Sequence, residues 1–600
     1  MADYSVRGAR WWVVALPTAL ACIMSANFSS AQTCDSQDSA ALLEFKAGFV
    51  DRDGVFAGWN GTADCCSWQG VTCELGRVVE LKVMAFFSSG SPVRDTAYAG
   101  GQVGASLGAL TALTQLDIEN VRFNGPIPDS LGDLGNLERL KLRQAGLQGL
   151  IPESLCNLSK LQVLDLTDNA ITGNVPACVT EWTQIAAIRL AANELSGAIS
   201  ENISQLITLV ELDLAENGFE GYIPRSLQKL QKLEILSLSA NSLNGSIPSA
   251  LTGLKSLQVV ALDHNQLTGG VSSWWYRLEN LTQIELNDNQ LGGNIYLPGS
   301  TEALAPLQKL SLQNNKFGGT IPPELGNFVG AVAIDLSNNQ LTGPIPDSLG
   351  NNTFGTLLLS NNRLTGGFPL SLARLQTVRL DGNQLDDLTA IGSVPTDGFN
   401  VISELGLGEN RLAGPWPTWI SELVNLSTLD VSSNNISGPI PVALLSSQNL
   451  QYSLNASHNP LNIPLPGGVG FVSQLGILDL TATGLTGSLG ASFFKSFPLV
   501  SSLYLGENAL VGDLPFDLPA MLNPSTNILD LSNNFFTGKV PRFFNLEFLM
   551  YLDLVGNSFA FGPLLDGSED EDNEEDDHKV LSRVFLCSMK ESGLRVLSWL

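Results

Sequence analysis

Histidine is scarce in this chain: among 600 residues only His264, His458 and His578 occur. That scarcity argues against a histidine metal centre or a Ser-His-Asp arrangement, since both need imidazole gathered in one place. Positive charge is also short. Lys and Arg number 31 against 59 Asp and Glu, a formal net charge of −28, and no basic stripe follows the chain. A nucleic-acid partner, which needs such a surface, is therefore not expected, while the acidity keeps a long exposed protein soluble. A phosphate-cradling Gly loop, a kinase Lys and an Asp-Phe-Gly motif are missing. Carboxylates do recur, as at Asp165, Asp213, Glu285 and Asp335, and read as solvated positions of a polar strand face rather than as a glycosidase pair. The chain reads as a non-enzyme with no cofactor and no metal.

What the sequence has is repetition. In the stretch Leu161 to Pro176, Leu161, Leu164 and Leu166 are followed by Asn169, Ile171, Gly173 and Pro176, and 24 residues later Ile185, Ile188, Leu190, Asn193, Leu195 and Gly197 take the same places. A fixed period of this length marks a solenoid. Leu164 and Leu166 alternate with Asp165 and Thr167, which predicts a short strand with one apolar face. The Asn stands where the chain turns and its amide can satisfy backbone groups of the next layer, the Gly permits an unusual backbone angle, and the Pro sets the exit. One coil cannot bury its own leucines, but a stack can.

Taking the first strand residue of each coil as its anchor gives nineteen copies, coils 1 to 19: Leu116, Leu140, Leu164, Ile188, Leu212, Leu236, Val260, Ile284, Leu310, Ile334, Leu357, Val378, Leu405, Leu429, Leu454, Leu478, Leu503, Leu529 and Leu552. The Asn position fails only at Val121, Ala145 and Thr483. The expected fold is an α/β repeat solenoid, a horseshoe of about 19–20 coils with a parallel β-sheet on its concave face. Between Val378 and Leu405 the spacing stretches to 27 residues, and Asp386 to Pro395 reads there as an irregular loop.

The pattern Leu-x-x-Leu-x-Leu-x-x-Asn-x-Leu-x-Gly-x-Ile-Pro, intact from Leu233 to Pro248, resembles the plant-specific leucine-rich repeat of receptor-like proteins, receptor kinases and polygalacturonase inhibitors. The resemblance divides the chain into a signal peptide (1–31), a disulfide-bonded amino-terminal cap (32–76), the solenoid (77–563) and an acidic carboxyl-terminal tail (564–600). The signal rests on Arg7 and Arg10, an apolar run from Trp11 to Met24 and small residues up to Ala31, with an uncleaved anchor as the other reading. Within the cap, Ser39 to Phe49 has helical apolar spacing. The resemblance implies bridges Cys34 to Cys65 and Cys66 to Cys73, and a further one joining Cys156 to Cys178 across neighbouring coils. The residues alone leave open a metal site for the first four and two free thiols for the last pair. Cys587 is left over in the tail, whose run Asp566 to Asp577 has the composition of a disordered segment. No uncharged stretch beyond residue 578 is long enough to span a bilayer, although the family often places a membrane helix there.

Asn-x-Ser/Thr sequons at Asn60, Asn157, Asn202, Asn244, Asn280, Asn351, Asn425, Asn435 and Asn455 are expected to be glycosylated in most, not all, cases. The ligand is expected on the concave face, where side chains depart from the generic Ser, Asp and Asn of the repeat. The densest such set is Arg139, Lys141, Arg143, Asp168, Arg189, Glu216, Asp263, His264 and Glu285, read as early-strand residues, with blander late coils such as Ser337-Asn338, Ser360-Asn361 and Ser432-Ser433. Receptor kinases of the resembled family hold a peptide's terminal carboxylate with two Arg on one strand, a spacing that Arg139 shares with Lys141 or Arg143, although theirs lies toward the carboxyl end of the array. The alternative is that neighbouring Asp and Glu answer these cations. The resemblance implies recognition of a peptide, glycan or microbial protein at the cell surface or in the wall, signalling through a co-receptor kinase. A secreted inhibitor of a wall-degrading enzyme is the second reading, and a structural wall protein, which needs a Pro-rich segment not found here, is the third.

Overall fold

The computed structural model describes residues 33–49, 56–84, 103–121, 123, 125–271, 274–297, 306–328, 330–351, 355–391, 400–466, 472–541 and 549–560. The signal at 1–31, the tail from 564 onward, His578 and Cys587 lie outside them.

Alternation of apolar and polar residues forms the predicted strands, and stacking aligns them. One sheet of 21 strands contains a strand for each of the nineteen anchors, the strand Arg77–Met84 before them, and Val71–Glu74, which pairs antiparallel with Arg77–Met84. All the other pairings are parallel and in register: Leu81 faces Leu116, Leu116 faces Leu140, Leu140 faces Leu164, and Leu529 faces Leu552. Anchors from Leu116 to Leu529 are buried, as are their partners two residues on, such as Leu142, Leu166 and Leu190. Each contributes about 1.5–3 kcal/mol by burial, and only the neighbouring coils supply the cover.

The repeat Asn joins the layers. Asn169 Oδ1 accepts the N–H groups of Ala145 and Leu147, both at 3.0 Å, in the preceding coil, while its Nδ2 donates to the carbonyls of Leu142 and Leu166, both at 2.8 Å. The residue just before it takes a left-handed conformation in almost every coil, for example Asp168 (φ 59°), Glu216 (φ 52°) and His264 (φ 52°).

Beyond the Asn, the structure adds an element that the repeat reading did not contain. A second parallel sheet of eight short strands runs from Gln148–Leu150 to Lys316–Gly318, and its repeating glycine, φ +80° at Gly173, turns the chain toward a short 3-10 helix whose N-cap is the repeat Pro, as at Pro152, Pro176 and Pro248. In the stretched coil, the expected loop is a strand as far as the described residues go: Gln384–Ile391 pairs parallel with Arg363–Pro369 through two register shifts that absorb the added residues.

Successive 3-10 helices approach closely at one small residue. A Cβ on Gly132 would stand 2.3 Å from the Ser154 carbonyl oxygen, whereas one on Gly135 would meet nothing within 4 Å. Gly132→Ala is therefore expected to cost about 1–3 kcal/mol, because backbone of the next coil cannot step aside, and Gly135→Ala to be near neutral. Equal urea midpoints for the two variants would refute this account. One coil later the same contact is covalent: Cys156, in the place of Gly132, is bonded to Cys178, in the place of Ser154.

The cap holds the bridges Cys34–Cys65 and Cys66–Cys73. Its helix is Ser36–Ala47, starting earlier than the apolar spacing indicated because the Asp35 side chain accepts the N–H groups of Gln37 (2.8 Å) and Asp38 (3.3 Å). Phe45, Phe56, Trp59 and Trp68 form an aromatic group that closes the end of the leucine core.

Candidate ligand-binding face

On each concave strand three side chains point out of the core: those flanking the anchor and the one beyond the second buried residue. Stacking places equivalent residues about 4.8 Å apart, so charges far apart in sequence form rows. Lys141 lies 3.7 Å from Asp117, Arg143 lies 3.4 Å from Glu119 and 3.7 Å from Asp165, and Arg189 lies 3.7 Å from Asp165 and bonds to Glu211. The result is an alternating ladder over coils 1 to 5. Hydrogen bonding to Glu211 raises the Arg189 pKa above its ordinary value, and burial raises that of Asp213 at the end of the ladder. Two of the three cations on the strand Arg139–Arg143 are thus held by carboxylates of adjacent coils, which for them is the alternative that the sequence had left open. Asp165, expected to be solvated, is 3% exposed, because both arginines lie beside it and Thr167 donates to it.

Arg139 differs. It is exposed and has no ion-pair partner among the described residues. Glu285 is paired with Lys309 and accepts from Gln283 Nε2 at 2.7 Å. Asp263 accepts from Ser239 and lies 2.8 Å from His264 Nδ1, and Asp288 lies 3.3 Å from His264 Nε2. The hydrogen bond to Asp263 and the nearby Asp288 carboxylate raise the His264 pKa.

Asp168, Glu216 and His264 do not stand on the strands, as the sequence reading had them. They occupy the left-handed turn after the strand and are exposed on one lateral rim of the solenoid. Asp168 there accepts from Gln144 Nε2 at 2.7 Å. The nine candidates therefore divide into a concave row and a rim, the rim residues all standing four positions after the anchor, immediately before the repeat Asn. Late coils are not bland either: Asp430, Asp479, Tyr504, Asp530 and Asp553 follow one another closely on the concave face.

Among the sequons, Asn60, Asn157, Asn280, Asn351, Asn425 and Asn435 are exposed, and Asn202 and Asn244 half-buried. Asn455 stands on a concave strand, donating to Asp430 at 3.2 Å and accepting from the buried Ser457.

Three family descriptions match this chain: a leucine-rich repeat N-terminal domain over residues 35–74, a leucine-rich repeat region over 96–318, and single leucine-rich repeats at 332–352 and 425–446. In solved structures, the plant peptide hormone receptor RGFR1 in complex with RGF2 is 30% identical with TM-score 0.68, covering 77% of this chain and 73% of that one. The chain belongs to the plant leucine-rich repeat family. This repeat protein also superposes on the Arabidopsis receptor kinase HAESA, solved with the peptide hormone IDA and the co-receptor SERK1, at 29% identity, TM-score 0.68, and 88% and 90% of the two chains. Among curated proteins of Arabidopsis thaliana it is similar to Receptor-like protein 34, 30% identical over 170 residues, and to Pollen receptor-like kinase 1, 34% identical over 103. The matched segments span 25% and 17% of this chain and only 17% and 14% of those relatives. Its fold is that of the plant receptor ectodomains, and among the described residues no helix is long and apolar enough to cross a membrane.

Proposed function

We propose that this protein is an extracellular recognition module that binds a peptide on the concave face of coils 2 to 8 and acts through a co-receptor kinase, without catalysis of its own. The observation that carries the reading is Arg139: an exposed cation with no ion-pair partner within 4 Å among the described residues, inside a sheet whose other early concave cations are already paired. A carboxylate brought to Arg139 gains a charge-assisted bond without breaking an internal one. Solved neighbours bound to peptide hormones favour a peptide over a glycan or a microbial protein as the ligand. Glycans at the exposed sequons are expected to leave this face clear.

The test is a screen of secreted peptides, each with a free and an amidated carboxyl end, against the purified chain. Free-acid peptides should be selected, and Arg139→Ser should weaken them at least tenfold, about 1.4 kcal/mol, with the thermal midpoint unchanged. Equal affinity of Arg139→Ser and the parent would place the site elsewhere. Inhibition of a polygalacturonase, with no peptide selected, would favour the inhibitor reading.

A further inference from the structure

The concave face changes character between its two ends. Along coils 1 to 13 most concave carboxylates meet a cation: Asp117, Glu119, Asp165 and Glu211 in the first ladder, Glu285 with Lys309, and Asp381 and Glu404 with Arg379. From coil 14 onward the face carries Asp430, Asp479, Asp530 and Asp553, and among the described residues no Lys, Arg or His shares the concave positions. His458 stands on the rim turn of coil 15 and makes no ion pair among the described residues.

Apolar and aromatic side chains stand between these acids. Ile477, Ser502, Ile528 and Tyr551 are register partners in one row, with Ile477 40% and Tyr551 48% exposed. In the next row Tyr504 lies between Asp479 and Asp530, its register partners on either side. Each of these two acids spends Oδ1 on a backbone N–H two residues on, at 2.9 Å, and neither has a cation within 4 Å among the described residues. Burial and the flanking carboxylates raise the Tyr504 pKa, and burial with Asp553 pushes Tyr551 up to about 12.

We propose that the concave face of coils 16 to 19 is a docking surface for a basic polypeptide segment, one Lys or Arg seated at Tyr504 between Asp479 and Asp530, and flanking apolar residues covering Ile477, Ile528 and Tyr551. Charge complementarity selects this occupant. An apolar partner would strip water from carboxylates without answering them, an acidic one would be repelled, and a cation at Tyr504 meets a ring and two carboxylates together. The surface is separate from the peptide face of coils 2 to 8, and its occupant carries the opposite charge.

A synthetic nine-residue peptide of alternating Leu and Lys, and its Leu-Glu counterpart, serve as probes against the full chain. The Lys probe should bind and the Glu probe should not. Asp479→Asn with Asp530→Asn should weaken the Lys probe at least tenfold and flatten its salt dependence, while Asp129→Asn with Asp347→Asn, on the 3-10 helices, and Arg139→Ser should leave it unchanged. Equal weakening by both acid pairs, or by neither, overturns the proposal, since attraction would then be a property of the overall negative charge. On the unsubstituted protein, carbodiimide coupling should join probe Lys to Asp479, Asp530 or Asp553. Coupling spread over the acids of the 3-10 helices overturns it as well, independently of how the variants fold.

Discussion

Asn289→Leu should destabilise the solenoid by at least ~4 kcal/mol. Asn289 is buried, its Nδ2 donates to the carbonyls of Leu262 (3.0 Å), Leu286 (3.2 Å) and Asn287 (3.1 Å), and its Oδ1 accepts from Leu267 N–H at 2.9 Å. Leucine has nearly the right volume but answers none of these groups, and each buried group left unpaired costs about 1–3 kcal/mol. Asn289→Thr should lose less. At Thr483, where threonine naturally fills the position, Oγ1 donates to the Leu480 carbonyl at 2.7 Å, which keeps part of the ladder. Because each coil touches only its neighbours, the damage should be local, with amide exchange accelerating in coils 7 to 9 and not in coils 14 to 19. Uniform acceleration along the array, or a urea midpoint within error of the parent, would show that the ladder is dispensable.

Arg77→Ala should cost about 3–5 kcal/mol and release the cap from the first coils. Asp38 is fully buried on the cap helix, and Arg77 holds it with Nε at 2.9 Å and Nη2 at 3.0 Å, while the Val78 N–H donates to it at 2.8 Å. The same pairing raises the Arg77 pKa. Truncating the arginine leaves an uncompensated carboxylate inside the junction, a far larger penalty than loss of an exposed pair. Arg77→Lys should recover only part, since an ammonium cannot reproduce the two-nitrogen contact. Limited proteolysis between Cys73 and Leu116 would report the release, and an unchanged cleavage rate for Arg77→Ala would mean that disulfides and aromatic packing hold the cap alone.

Neither residue was singled out from the sequence for this purpose. Asp38 is one acid in a helix of mixed residues, and its partner is 39 positions away at the start of the strand Arg77–Met84. The same limit governs the concave face. Arg139, Lys141 and Arg143 are conspicuous as a cluster on one strand, but whether they are free or paired depends on Asp117, Glu119 and Asp165, brought alongside by the lateral step of the stack. The face around Tyr504 escaped notice for a related reason: Asp479, Tyr504 and Asp530 are about 25 residues apart and become neighbours only when coils 16 to 18 align.

The repeat itself was legible in full: number of coils, anchors, Asn ladder, the left-handed glycine and the place of the proline all follow from short-range patterning, which a period of 24 residues repeats until chance is excluded. The second sheet was not, since its strands hold single apolar residues such as Ile171 and Leu195 among Gly and polar neighbours, and extended backbone forms there because the adjacent coil offers its hydrogen bonds. The sequence by itself thus determined the solenoid and the sheet that lines it, because periodic burial of leucine has one economical solution. Which charges on that surface are satisfied and which stand open was decided only by the tertiary structure, because ion pairing depends on distances between coils, and those are fixed by packing rather than by any single stretch of chain.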